Sequence, residues 1–289
     1  MKRFISLLTV GALLSSMLIG CSSGGSASSA TNNKLIVGTN AEFPPFEYAG
    51  ADGEPDGFDI ALIKAMGEKM GKEVEVQNME FDSLVAAIGN KIDIAIAGMT
   101  VTEERKQSVD FSDTYYEAVQ NVILPIDSTI ATADDIAGKK IGVQLGTTGD
   151  FIAADISPDG VKQYSKGLDA VNDLMNGRLD CVIIDSNPAQ VYASRYPDKL
   201  KAVEGSQFNF EPESYAIALP KGNEELKKAI NDALKAVKDD GTFDKLVSQY
   251  IEEAEPEAKD SDKDDDAEDS DDKEEEKDDS DDKESEKDD

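Results

Sequence analysis

Two segments of this chain, FDSLVAAIGNKIDIAI (Phe81–Ile96) and LDAVNDLMNGRLDCVI (Leu168–Ile183), follow one pattern at a constant separation of 87 positions. The pattern pairs Asp82 with Asp169, Ile88 with Met175, Lys91 with Arg178 and Asp93 with Asp180. Each segment reads as a helix, a tight turn and a buried strand, since apolar residues at helical spacing give way to an apolar run rich in branched side chains. A chain holding this unit twice is expected to form two lobes of similar build, a chance helix-turn-strand match being the alternative. The same offset sets Asp185 opposite Gly98, each just past the end of its strand. In open α/β sheets ligands sit at the carboxyl ends of the strands, so the two loops are expected to face a common cleft.

The remaining pattern extends this scheme. Strands are expected at Leu35–Thr39, Val74–Asn78, Ile92–Ala97, Ala118–Leu124, Lys140–Gln144, Val161–Tyr164 and Tyr215–Leu219. Helices are expected at Phe58–Met70, closed by Gly71, at Ser83–Ile88, capped by Asp82, from Thr102, after the LGTTGD turn (Leu145–Asp150), and at Pro188–Tyr196, Glu224–Lys238 and Thr242–Tyr250. Strands alternating with helices of this length imply α/β architecture with largely parallel sheets.

Charge and inventory exclude several functions. The net charge of −32 makes nucleic acid and anionic membrane surfaces poor partners. With no histidine in the chain, histidine catalysis and histidine metal ligation are ruled out. The acidity is concentrated in residues 252–289, which hold 24 Asp and Glu against 6 Lys and have no apolar anchors. That stretch is expected to be a disordered acidic tail. From Asp260 its alternating acids are EF-hand-like, but Asp265 stands where the loop needs glycine, so no metal site is expected.

The start of the chain reads as an address. Lys2 and Arg3 precede an apolar segment, Phe4–Ile19, that suits a signal-peptide core and is too short to span a bilayer. It ends in LIGC, which resembles the bacterial lipobox. That resemblance implies a lipoprotein signal peptide over residues 1–20, diacylation of Cys21 as the mature N-terminus, a polar tether over 21–33, and anchoring on the extracytoplasmic face of the membrane. Cys181 would then have no disulfide partner and is expected to be a small buried hydrophobe.

Within residues 92–116, IDIAIAGMTVTEERKQSVDFSDTYY, Arg105 lies a few residues past the end of a strand. A solvated helix-surface arginine and a ligand-binding one both fit the bare pattern. Together with GTNAEFPPFEY (Gly38–Tyr48) and GFDIALIKAMGEKMG (Gly57–Gly71), this stretch resembles the family-3 extracellular solute-binding proteins of polar amino-acid ABC importers, from about Lys34 to Tyr250. The resemblance implies a two-lobed periplasmic-binding-protein-like fold of type II, with two open, mostly parallel sheets joined by two hinge strands. The crossings are expected near residues 122–126 and 214–219, giving a first lobe of 34–123 and 217–251 and a second of 124–216. It also implies a monomer that binds a polar amino acid without a cofactor and hands it to an ABC permease.

A free amino acid presents a carboxylate beside an ammonium, so its site needs a cation and an anion held close together. Arg105 offers a fork for the carboxylate. Backbone N–H groups of Thr100 and Thr148, near helix starts, would complete its shell, the Thr100 hydroxyl adding a further bond. Asp185 suits the ammonium, with the Gly98 carbonyl as second acceptor. By the resemblance these are the family's positions for those roles, and Met99 and Thr147 flank them. Phe43 and Phe81 occupy positions where the family sandwiches the ligand side chain, core packing being the alternative for each. Family members that take cationic side chains often carry an acid where Asn40 stands. Asn40 and Gln144 therefore point to a neutral polar ligand such as glutamine, while Glu42 is either a partner for a cation or an exposed loop residue. A dehydratase-like enzyme, a surface adhesin and a sensory binding subunit are the competing readings on the same scaffold.

Overall fold

The computed structural model describes residues 33–252. The expected signal peptide, the lipidation site Cys21, the tether up to residue 32 and the tail from residue 253 lie outside the described residues.

Among the described residues the chain forms two five-stranded sheets of matching order. The first runs Glu73–Asn78, Lys34–Thr39, Ile94–Ala95, Glu213–Pro220, Val109–Ala118; the second runs Val161–Tyr164, Ile141–Gln144, Cys181–Asp185, Gln120–Pro125, Leu200–Val203. In each, the first three strands are parallel and the last two are antiparallel additions. The strands of the 87-residue repeat occupy the central place in both sheets. Their acids do the same work: Asp93 Oδ2 accepts from Ile36 N and Asp180 Oδ2 from Lys140 N, each at 2.8 Å. Each aspartate thereby clamps the central strand to the start of its parallel neighbour and satisfies a backbone donor at the sheet margin.

The helix Phe58–Met70 ends as expected at Gly71, whose φ of 63° is the left-handed conformation glycine adopts without a Cβ clash. Phe58, Leu62, Ile63 and Met66 recur at helical spacing and are buried against Val37, Ile94 and Ile96. In the second lobe Val122, Leu124, Ile141, Val143, Cys181 and Ile183 form the corresponding core. Truncating one such side chain to alanine costs about 2–5 kcal/mol. Cys181 is a buried free thiol, and burial pushes its pKa up to about 12.

Several elements differ from expectation. Only Ile94–Ala95 of the run 92–97 is a strand, because Asp93 turns aside to clamp Ile36 and Gly98, at φ 51°, swings the chain toward the cleft. The helix expected from Thr102 covers only Arg105–Ser108, although Thr102 Oγ1 does accept from Arg105 N at 3.1 Å. Asp82 caps no helix; it lies in a 3-10 turn, Phe81–Ser83, followed by the single α turn Leu84–Ala87. Val109–Ala118 and Leu200–Val203 are strands that the hydrophobic pattern does not mark. The chain passes from the first sheet to the second at Val119, ahead of the expected crossing at 122–126, since all of Gln120–Pro125 pairs inside the second sheet. It returns before Glu213, since all of Glu213–Pro220 belongs to the first sheet.

Candidate functional site: a cleft between the lobes

The carboxyl ends of the parallel strands from both sheets meet at one cleft. From the first lobe come Asn40, directly after strand Lys34–Thr39, then Phe43, Phe81, the loop Ala97, Gly98 and Thr100, and Arg105. From the second come Gln144 and Asp185, the last residues of their strands, with Thr147 and Thr148 at the start of helix Thr148–Ile156. The lobes lie so close that the cleft between these side chains has a volume of only about 10 Å³, room for one water, so a ligand enters by parting them. Ten of the eleven residues named from sequence line this cleft. Met99 does not: the turn at Gly98 sends its side chain, fully buried, into the cluster with Phe81 and Leu84, and its carbonyl accepts from Ala216 N at 3.1 Å.

Arg105 is 8% exposed, so it is no solvated surface residue. Its guanidinium donates to Thr100 O at 2.6 Å and, across the cleft, to Gly146 O at 3.0 Å. It lies 5.3 Å from the centroid of Phe81, a cation–π contact that fixes the plane of the fork. Burial lowers its pKa, and the charges of Glu213 and Asp185 act against that shift. An arginine stays protonated under such a perturbation, so the cleft holds a permanent cation.

Across the cleft, Thr147 caps the helix by accepting from Asp150 N at 3.3 Å. Thr148 is the first residue of that helix, where N–H groups have no intrahelical acceptor and face outward as anion donors. The LGTTGD turn is thus a strand-to-helix connection that also presents a donor. The hydroxyls are committed elsewhere: Thr100 Oγ1 and Thr148 Oγ1 both donate to Glu213 Oε2, at 2.6 and 2.8 Å. A hydroxyl has one proton, so neither threonine side chain can at the same time donate to a ligand carboxylate. The Thr100 hydroxyl, expected to face a ligand, here faces Glu213.

Asp185 is buried and accepts from Tyr215 Oη. Burial and the neighbouring Glu213 charge raise its pKa to about 7. Behind Gly98 lies a second acid that sequence reading missed. Asp59 Oδ2 accepts from Gly98 N and from Tyr115 Oη, both at 2.8 Å, and burial raises its pKa to about 7. Glu47 lies beside it, fully buried, with its pKa raised well above normal by burial and by the Asp59 charge. Glu47 and Glu213 were legible only as loop and strand-margin acids, and Asp59 as the polar member of an apolar helix.

The far end of the cleft is closed by amides. Gln144 Nε2 donates to Asn40 Oδ1 at 2.8 Å, and Asn40 Nδ2 donates to Met79 O at 2.9 Å. Glu42 is neither exposed nor free, since it pairs with Lys166 of the second lobe. Phe43 is both core and lining: it lines the cleft, stacks on Phe46 with centroids 5.8 Å apart and meets the edge of Tyr215 at 6.5 Å. Among the described residues no three His, Cys, Asp or Glu side chains converge as a metal site. No helix among them is long and apolar enough to cross a membrane.

The profile of the bacterial extracellular solute-binding proteins, family 3, matches residues 35–253. The arginine-binding extracellular protein ArtP of Bacillus subtilis (strain 168) is 38% identical over 255 residues, 87% of this chain and 98% of that protein. An ancestral arginine-binding protein solved with arginine is 40% identical, with a TM-score of 0.71 over 76% of this chain and 98% of its own. A structure of an ancestral arginine-binding protein with glutamine is 41% identical, with a TM-score of 0.71 over 76% and 98%. The fold is the two-lobed type II fold of periplasmic amino-acid-binding proteins. The chain belongs to the bacterial extracellular solute-binding proteins, family 3.

Proposed function

We propose that this protein is a receptor that takes one polar L-amino acid into the cleft between its lobes and delivers it to an ABC importer. The observation that carries the reading is the presence in one cleft of a buried arginine from the first lobe and a buried aspartate from the second. Arg105, with the Thr148 N–H, holds the α-carboxylate; Asp185, with the Gly98 carbonyl, holds the ammonium; Phe43 and Phe81 flank the side chain. Arg105 and Asp185 come from different lobes, so a zwitterion draws the lobes together and is buried by closing them. No bond of the ligand is broken in this scheme: the ionisable groups of the cleft are used in neutralising the ligand.

Arginine and glutamine are the first ligands to try, since the named relatives bind arginine and one is solved with glutamine. The lipobox-like LIGC supports a receptor outside the cell membrane, held by a lipid on Cys21 and delivering its cargo as a monomer. The test is a thermal-shift screen against the common amino acids, because a ligand present at 100 times its Kd adds about 2.7 kcal/mol to stability. Stabilisation by arginine or glutamine is expected, and a chain stabilised by no amino acid overturns the proposal. Retention of the wild-type chain on membranes, with release of Cys21→Ser, tests the anchor.

A further inference from the structure

We infer that Glu213 is a positioning residue that latches the cleft shut, one of its carboxylate oxygens being the acceptor that cross-links the two lobes beside the hinge. Its object, a cleft that closes on an amino acid, rests on the reading given above.

The geometry is specific. Glu213 opens the strand Glu213–Pro220 of the first sheet, where it pairs with Ala118, the last residue before the chain changes sheets at Val119. Its backbone is therefore fixed where both crossings converge. Its Oε2 accepts from Thr100 Oγ1 of the first lobe at 2.6 Å and from Thr148 Oγ1 of the second at 2.8 Å. Gln120 Nε2, at the start of the second sheet, lies 3.4 Å from the same oxygen. Donors from both lobes thus reach one oxygen: Gln120 sits at the crossing itself, while Thr148 lies on a helix of the second lobe, so parting the lobes draws the Thr148 hydroxyl off Glu213 and leaves Thr100 in place.

Chemistry favours this arrangement. Hydrogen bonds to an ionised carboxylate are roughly twice as strong as neutral ones, and here they are partly screened from water. The Arg105 guanidinium, the only arginine of the cleft, interacts favourably with the Glu213 charge and offsets its burial. The latch also divides labour between donors. The threonine hydroxyls are spent on closure, which leaves the guanidinium and the Thr148 backbone N–H to a ligand carboxylate. Glu213 therefore changes affinity without touching ligand, by raising the fraction of molecules in the binding-competent closed form.

The test uses the full-length chain with Cys21→Ser and one spin label in each lobe, at the exposed positions Glu68→Cys and Asp159→Cys; buried Cys181 stays unlabelled. Inter-lobe distances are measured with and without arginine, alongside calorimetric titration. Glu213→Ala is expected to lower the short-distance fraction at every arginine concentration and to weaken binding about tenfold through the closed fraction. Glu213→Gln, which keeps a carbonyl acceptor in the same place without the charge, is expected to restore part of both, as a loss of folding would not. An unchanged short-distance fraction in Glu213→Ala, or a Glu213→Gln variant as open as Glu213→Ala, overturns the latch. If no amino acid binds the wild-type chain, the functional reading fails, while the ligand-free distances of the variants still decide the role of Glu213.

Discussion

Arg105 reaches across the cleft to the carbonyl of Gly146, so one guanidinium touches both lobes at 3.0 Å or less. In the proposed complex the same group meets the ligand carboxylate. Arg105→Ala strands that carboxylate in a buried site and removes the contact to Phe81. Calorimetry is expected to show affinity reduced at least about 100-fold, on the order of 3 kcal/mol. Unchanged affinity would remove Arg105 from the site.

Gly98 is a second point of sensitivity. It has φ 51°, and a Cβ there would stand 2.7 Å from Phe43 Cε1. Gly98→Ala therefore strains the backbone and pushes an aromatic wall of the cleft. A loss of about 1–3 kcal/mol in denaturant unfolding is expected, with weaker ligand binding. A variant as stable as wild type would mean that Phe43 yields freely.

The buried acids give stability an inverted pH dependence. Asp59 and Asp185 keep their protons in the folded state up to about pH 7, whereas an unfolded aspartate loses its own near ~3.9. Between those values the folded state binds more protons, so stability is full below the unfolded pKa and is lost as pH rises through the folded one. Ligand-free protein is expected to melt several degrees lower at pH 8 than at pH 5, each kcal/mol being worth about 2–4 °C in a chain of this size. The overall negative charge of −32 has the same sign, so the measurement that isolates the effect compares Asp59→Asn, whose slope should be shallower. Equal slopes would discharge Asp59 from the account.

Ligand affinity should run the other way. An ammonium pairs with Asp185 only after that carboxyl ionises, so binding is expected to strengthen up to about pH 7 and then level off. Titrations from pH 5 to 8 check this, and a flat profile would mean that the ammonium is held elsewhere.

Asn40 tests selectivity. Its amide donates to Met79 O and accepts from Gln144, an arrangement a carboxylate cannot reproduce on the Met79 side. Asn40→Asp is expected to cost about 1–3 kcal/mol in ligand-free stability and to shift competition between arginine and glutamine toward arginine. An unchanged ratio would place the ligand side chain away from Asn40.

What was legible in the sequence followed from local rules. The helix Phe58–Met70 was readable because its apolar period and Gly71 stop agree, and the matching places of Asp93 and Asp180 were readable because side chains and register repeat together. Val109–Ala118 was not, since it lies on the edge of a sheet with exposed Asp113, Thr114 and Glu117, and no clear alternation survives there. Met99 was misplaced because the turn at Gly98 reverses which way the next side chain points. Glu213 was invisible because its significance depends on Thr100 of its own lobe and Thr148 of the other, both more than sixty residues away. Convergence of that kind is a property of tertiary closure and leaves no spacing to find.

The bond between Gln144 and Asn40 makes the far wall of the cleft out of two halves that exist together only when the lobes meet. Such a wall is a clasp rather than a mould: parting the lobes must break this amide pair, and closing them restores it.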